Sequence, residues 1–317
     1  MAHRLGTSAS DIVAAVDYLR SGGVVGVPTE TVYGLAASAF DIDAISEIYR
    51  LKNRPANNPL ILHIHHSSQI ERLADTIPEM LPQIVDQFWP GPLTVVLKAR
   101  PNVPAIVRGG GDTVGIRIPN HPTFLQLLAS INEPLAAPSA NRSNHVSPTT
   151  AAHVESDFPT ESFPILDAGP TATGLESTVL SLVGPPTVLR LGSTSITALR
   201  EILPNITIDL PDQQIESPGT SKRHYAPKTP FHIWSDQKIT NKDGVLLFGG
   251  PPPEQAAHVW NLGDDPTQAG KKLYATLREM DQTQLRVLYV VLPNEKKLMQ
   301  DDWLAIMDRL RRATQSK

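Results

Sequence analysis

Apolar positions along this chain alternate between two periods, and the alternation lays out short strands and amphipathic helices in sequence. Ile12, Val13, Val16 and Leu19 recur at helical spacing, with Ser10 as the expected cap and Gly22-Gly23 as the stop. The apolar run over 24–27 then breaks at Pro28 into Thr29-Glu30-Thr31, so a buried strand ends in hydroxyls and a carboxylate. Ala44, Ile45, Ile48 and Leu51 mark a second helix, expected to be capped by Asp43. It gives out at Lys52-Asn53-Arg54, because the residue ahead of Pro55 is steered out of helical conformation. An amide-rich loop, Ala56-Asn57-Asn58, leads into an apolar strand over 59–64 with His63 near its far end.

Further on, the pattern predicts helices over 68–74 and 78–88, then a strand over 93–98 behind the break at Trp89-Pro90-Gly91-Pro92. Alternation over 114–118 aims Arg117 away from the face that carries Ile116 and Ile118. The run over 134–137 repeats the earlier arrangement, an apolar strand that stops in small polar residues, here Ser139-Ala140-Asn141. Ser147-Pro148-Thr149 is expected to cap a helix through His153. A strand over 164–167, a hairpin pairing 176–182 with 187–192 across Gly184-Pro185-Pro186, and a helix over 195–202 close the first unit. Residues 205–229 have linker composition, with Pro211, Pro218 and Pro227, yet end in the basic-aromatic run Lys222-Arg223-His224-Tyr225. Beyond it, apolar runs over 231–234, 245–248, 259–262 and 287–292 alternate with helical patterns over 267–280 and 301–313. The predicted organisation is a first domain over 1–204, a linker over 205–229 and a small α/β domain over 230–317.

Composition narrows the chemistry. At 317 residues with 40% hydrophobic content, the chain has enough apolar side chains for two ordinary cores. A formal net charge of −4 carries no global field for a polyanion, so a small anionic ligand meeting a local basic cluster suits it better. The absence of cysteine excludes disulfides, thiolate metal sites and a thiol nucleophile. The N-terminal segment has no apolar core of a secretory signal and no run of 18 apolar residues occurs, so the expectation is a cytoplasmic protein without a membrane span. Neither a P-loop nor a Gly-x-Gly-x-x-Gly fingerprint is present. His63 and His65 would share a strand face, but without further close ligands they do not make a zinc site.

The segment 28–35, Pro-Thr-Glu-Thr-Val-Tyr-Gly-Leu, followed by Lys52-Asn53-Arg54, Asn58-Pro59-Leu60 and His63, resembles the signature of the YrdC-like family. Ser139-Ala140-Asn141, the Ser177-Thr178-Val179 and 188–192 hairpin and the His224-Tyr225-Ala226-Pro227 linker are similar to the long, two-domain threonylcarbamoyl-AMP synthases. Asn53 departs from the glycine common between the two cations in that family. The resemblance implies an α/β fold: a YrdC-like twisted mixed sheet with a concave nucleotide-binding face, plus a small Rossmann-like C-terminal domain. It also implies a nucleotidyltransferase that makes L-threonylcarbamoyl-AMP and pyrophosphate from L-threonine, bicarbonate and ATP. A downstream transferase would then modify the adenosine next to the anticodon of tRNA. Carried over by motif, Lys52 and Arg54 would be catalytic, and ATP would meet Lys52, Arg54, Asn58, Thr113, Ser139, Asn141, Ser147, Arg190 and Tyr225. L-Threonine would meet Thr31, His63, Arg117, Ala137 and Ser177, with Arg117 as the bidentate partner of its carboxylate. Mg²⁺ would arrive on the ATP phosphates, since no clustered carboxylate pair suggests a protein-built cage. The strap over 217–227 is expected to fold across the nucleotide. An RNA-binding module and a carbamoyl transferase of the hydrogenase-maturation type remain as alternatives, and direct contact with tRNA stays open.

Overall fold

The computed structural model describes residues 3–210, 224–298 and 300–314. The first unit opens with β1 (His3–Leu5), α1 (Ala9–Arg20) and the hairpin β2 (Val25–Val27) and β3 (Gly34–Ser38). There follow α2 (Ile42–Lys52), β4 (Ile61–His63), a 3-10 turn (Ser67–Arg72), α3 (Leu81–Phe88), β5 (Leu93–Lys98) and β6 (Thr113–Arg117). Next come α4 (Pro122–Ile131), β7 (Leu135–Ala136), α5 (Ala151–Asp157), β8 (Pro164–Leu166), β9 (Thr178–Ser181), β10 (Thr187–Arg190), α6 (Ile196–Ile202) and β11 (Thr207–Ile208). The second unit holds β12 (Phe231–Ile233), β13 (Asp243–Leu247), β14 (His258–Asn261), α7 (Pro266–Gln282), β15 (Val287–Val290), α8 (Glu295–Leu298) and α9 (Asp301–Thr314).

The first unit is a large twisted mixed sheet of eleven strands in the order β1-β8-β2-β3-β7-β4-β6-β5-β9-β10-β11. Parallel pairing of β4 with β6 sets His63 beside Arg117, and antiparallel pairing of β4 with β7 sets it opposite Leu135. Strand pairing thus gathers residues that lie far apart in sequence at one end of the central strands. The second sheet is parallel throughout, in the order β12-β15-β13-β14. Among the described residues, no helix is long and apolar enough to cross a membrane.

Several caps differ from the pattern reading. Ser8, not Ser10, caps α1: its Oγ accepts from Asp11 N at 3.3 Å while Asp11 Oδ2 accepts from Ser8 N at 3.0 Å. Asp41 rather than Asp43 caps α2, its Oδ1 accepting from Asp43 N at 3.1 Å and Ala44 N at 3.0 Å. Thr150 caps α5 through a 3.2 Å bond from His153 N. In each case a helix starts where a side-chain oxygen can reach a free amide two or three residues on, which need not be the polar residue nearest the apolar stripe. At the other end of α2, Asn53 is left-handed with φ 49°, a conformation asparagine tolerates where glycine is the usual choice. β3 and α4 lie outside the elements the pattern predicts, and β11 extends the first sheet into the segment expected to be linker. Lys222 and Arg223, with the rest of 217–223, lie outside the described residues.

The two units share one buried apolar cluster that includes Leu175, Tyr225, Tyr274, Trp303 and Ile306. Gly174, with φ +77°, makes the close approach possible, because a Cβ there would stand 2.6 Å from the Lys271 carbonyl oxygen of α7. Across the same interface Arg278 of α7 pairs with Asp157 of α5 at 2.5 Å.

Candidate active site

A cavity enclosing about 540 Å³, including the part open to solvent, sits between the end of β2, the ends of β4 and β6, the loop after β7 and the segment ahead of β9. His224 and Tyr225, leading into the second unit, cover one wall.

At one end, Arg117 is 3% exposed and donates through Nε to Gly91 O at 3.0 Å and through Nη1 to Thr31 Oγ1 at 3.1 Å. Its Nη2 stands 2.6 Å from Glu30 Oε1, an ion pair off hydrogen-bond geometry, for both Glu30 oxygens and Nη2 lack hydrogen-bond partners. Thr31 Oγ1 also contacts Thr29 Oγ1 at 2.8 Å. His63 faces the same space with Nδ1 unpartnered and its ring 5.3 Å from Phe124. Burial, and then the neighbouring Arg117 charge, push the imidazole down to about 3, so it is neutral at physiological pH.

At the other end, left-handed Asn53 separates two cations that lie two positions apart in sequence. Lys52, 1% exposed, turns inward and donates to Ser139 O at 2.5 Å and Asn141 O at 2.6 Å. Burial, reinforced by the Arg54 charge, lowers its pKa well below the ordinary lysine value. Arg54 is half-buried and reaches the cavity. It is braced by Asn58 Oδ1 at 2.5 Å, Asn58 O at 3.0 Å and Pro59 O at 2.8 Å, and burial lowers it to about 10, still cationic at neutral pH. On the far wall Arg190 donates to Ser177 O at 2.9 Å and Ser177 Oγ at 3.0 Å, while Ser177 Oγ contacts Thr94 Oγ1 at 2.8 Å.

Glu176 also lines this wall. Its Oε1 accepts from Ser147 Oγ at 2.6 Å, and its Oε2 accepts from Tyr274 Oη at 2.8 Å and Arg309 Nε at 2.9 Å. Burial alone would raise this carboxyl, but Arg309, Arg190 and the Ser147 bond hold it down to about 2. Tyr225 is 1% exposed with an unpartnered hydroxyl, and burial pushes it up to about 12. His224, whose Nδ1 is also unpartnered, is lowered by burial to about 3.

Of the residues singled out from sequence, Thr31, Arg54, His63, Arg117, Ala137, Ser139, Ser177, Arg190 and Tyr225 line one cavity. The Ala137 amide is already used, donating to Ile61 O at 3.1 Å. Lys52, Asn58, Asn141 and Ser147 stand behind the lining: Lys52 and Asn141 fix the loop after β7, Asn58 braces Arg54, and Ser147 holds Glu176. Thr113 begins the strand that ends in Arg117, roughly 13 Å away at strand rise. Sequence reasoning missed Tyr33, Glu176 and His224 as lining and Tyr274 and Arg309 behind it. Glu176 beside Ser177, and His224 beside Tyr225, were visible neighbours of residues already chosen.

The family model described as telomere recombination matches residues 17–192, and that described as threonylcarbamoyl-AMP synthase, C-terminal domain, matches residues 194–315. The threonylcarbamoyl-AMP synthase of Pyrococcus abyssi is 38% identical over 95% of this chain and 93% of its own length. That of Bacillus subtilis is 37% identical over 98% of this chain and 94% of its own length. The crystal structure of P. abyssi Sua5 complexed with L-threonine superposes with a TM-score of 0.90 at 35% identity, covering 99% of this chain and 97% of that one. E. coli YciO covers 62% of this chain and 98% of its own at a TM-score of 0.57 and 22% identity, a likeness of fold alone. With the two domain models matching residues 17–192 and 194–315 and relatives aligned over nearly the whole chain, this protein belongs to the two-domain threonylcarbamoyl-AMP synthase family.

Proposed function

We propose that the chain condenses L-threonine, bicarbonate and ATP into L-threonylcarbamoyl-AMP and pyrophosphate, for threonylcarbamoyl modification of tRNA next to the anticodon. The observation that carries the reading is the convergence of Arg54, Arg117 and Arg190 with neutral His63 and the hydroxyls of Thr31 and Ser177 on one cavity. In this reading the Arg117 fork takes the threonine carboxylate, in place of the off-geometry contact it makes with Glu30. An uncharged His63 beside the amino acid adds no positive charge against the amine, which must be neutral to attack the bicarbonate carbon; the C–N bond forms as the bicarbonate hydroxyl leaves with an amine proton as water, giving the carbamate. A carbamate oxygen then attacks the α-phosphorus and pyrophosphate leaves from the opposite side. Such a transfer depends on positioning and positive charge, the parts assigned to Arg54 and Arg190 at the phosphates.

Among the described residues no group of three or more His, Asp or Glu could hold a metal ion, and the one acidic cavity residue, Glu176, already meets three donors. We propose that Mg²⁺ enters with ATP as part of the substrate, with phosphate oxygens and water among its ligands. The RNA-binding alternative is not favoured by a net charge of −4, nor the carbamoyl-transferase alternative by a chain without cysteine. We place the enzyme in the cytoplasm, upstream of a transferase that acts on tRNA.

The test is incubation with ATP, labelled bicarbonate and each amino acid in turn. Threonine should give labelled adenylate and stoichiometric pyrophosphate, with serine poorer by about 10–200-fold for the missing methyl. Equal turnover with every amino acid would overturn the assignment.

A further inference from the structure

A carboxylate on the wall of a cavity that is to hold a triphosphate is an electrostatic liability, because it repels the ligand across a medium of low dielectric. Glu176 occupies that position. Two of the three donors that answer its charge come from the second unit: Tyr274 on α7 and Arg309 on α9. Arg309 is 1% exposed and held by Leu191 O at 2.7 Å and Asp308 Oδ2 at 2.5 Å, so its fork is fixed before any ligand arrives. The same pair carries Tyr225. The Arg309 guanidinium lies 4.9 Å from the Tyr225 ring centroid, and the Tyr274 ring stacks on it at 5.6 Å and 22°. Tyr225 itself is left-handed with φ 60°, uncommon for a bulky residue, and presents a buried hydroxyl with no partner at the cavity. A left-handed aromatic held on a platform from another unit, with an unpartnered hydroxyl, is a poised contact.

We propose that Arg309 and Tyr274 are positioning residues of the nucleotide half of the site, cancelling the Glu176 charge and aiming the Tyr225 hydroxyl into the cavity. The second unit is therefore part of the machinery that binds ATP, through residues that do not touch the ligand. The proposal rests on the ATP reading above and deepens it.

The full-length enzyme is assayed as wild type, Tyr274→Phe, Arg309→Met and the pair Arg309→Met with Glu176→Gln. For each, kcat, the KM for ATP and for threonine, calorimetric ATP binding and Tm are measured. Tyr274→Phe keeps the ring stack and loses one donor to a charged acceptor, so the ATP KM should rise roughly tenfold while the threonine KM stays within about twofold. Arg309→Met strips Glu176 of its ion-pair partner and leaves it to Ser147, Tyr274 and the more distant Arg190 charge, and the ATP KM should rise on the order of a hundredfold. Adding Glu176→Gln removes the stranded charge and should recover about tenfold of that loss. A purely structural role predicts a lower Tm and active fraction with the ATP KM unmoved and no recovery in the pair. Should Arg309→Met not fold, Tyr274→Phe and the neutral pair decide. An ATP KM equal to wild type in both overturns the proposal, whereas a wild type that makes no adenylate overturns the functional reading instead.

Discussion

Replacing Lys52 with methionine separates two jobs that the motif Lys-x-Arg leaves entangled. Methionine keeps most of the stem's packing and removes the ammonium that donates to Ser139 O and Asn141 O at 2.5 and 2.6 Å. Each buried carbonyl left without its donor costs about 1–3 kcal/mol, or about 2–6 kcal/mol for the two. Part of this is offset, because burial already works against the ammonium and drives its pKa well below the ordinary value. The lower half of the range, about 2–4 kcal/mol, is therefore expected. At about 2–4 °C per kcal/mol, the Tm of the ligand-free enzyme should fall by on the order of 10 °C, and activity should fall with it as the Ser139 loop loosens. The assay is thermal and urea unfolding of the ligand-free protein beside steady-state kinetics. A ligand-free Tm within about 2 °C of wild type, together with an ATP KM raised a hundredfold, would refute the reasoning and restore Lys52 to the triphosphate.

Arg54→Ala should show the opposite balance. Adenylate formation should fall roughly a hundred- to a thousandfold, as for loss of one group facing developing charge, and Arg54→Lys should rescue it poorly because a point charge cannot reproduce a fork. Stability should decline as the pH falls below about 6.5. His63 and His224 stay neutral in the fold down to about 3 and His153 to about 4, while the unfolded chain protonates each near its ordinary value, so the unfolded state binds more protons across that window. The slope contributed by each is up to about 1.4 kcal/mol per pH unit. Urea midpoints measured between pH 4 and 8 should be flat above 7 and drop below 6.5, and a His63→Gln, His224→Gln double variant should flatten the drop. An unchanged slope in that variant would remove these two residues from the account.

Much of the fold was legible because periodicity is a short-range property. The predicted strand over 93–98 coincides with β5, and each apolar run and helical pattern assigned beyond residue 230 has its element in the second sheet or its helices. Caps were read less well, since Ser8 against Ser10 and Asp41 against Asp43 differ by which oxygen meets a free amide. β3 escaped because a run of small residues, Gly34-Leu35-Ala36-Ala37-Ser38, has no apolar alternation to show.

The chain by itself determined that polar groups gather at strand ends, and most of the residues chosen there do share one cavity. Only the tertiary structure decided where each of them is placed and what it contacts. Lys52 and Arg54 are one residue from neighbours in sequence, yet the left-handed turn at Asn53 sends one to backbone carbonyls and the other to the ligand space. Glu176 meets Arg309 across 133 positions, and no local pattern in either segment announces the other. Periodicity reports which face of an element is buried, whereas the partner of a buried charge depends on which distant element packs against that face, and here that element is α9 of the second unit.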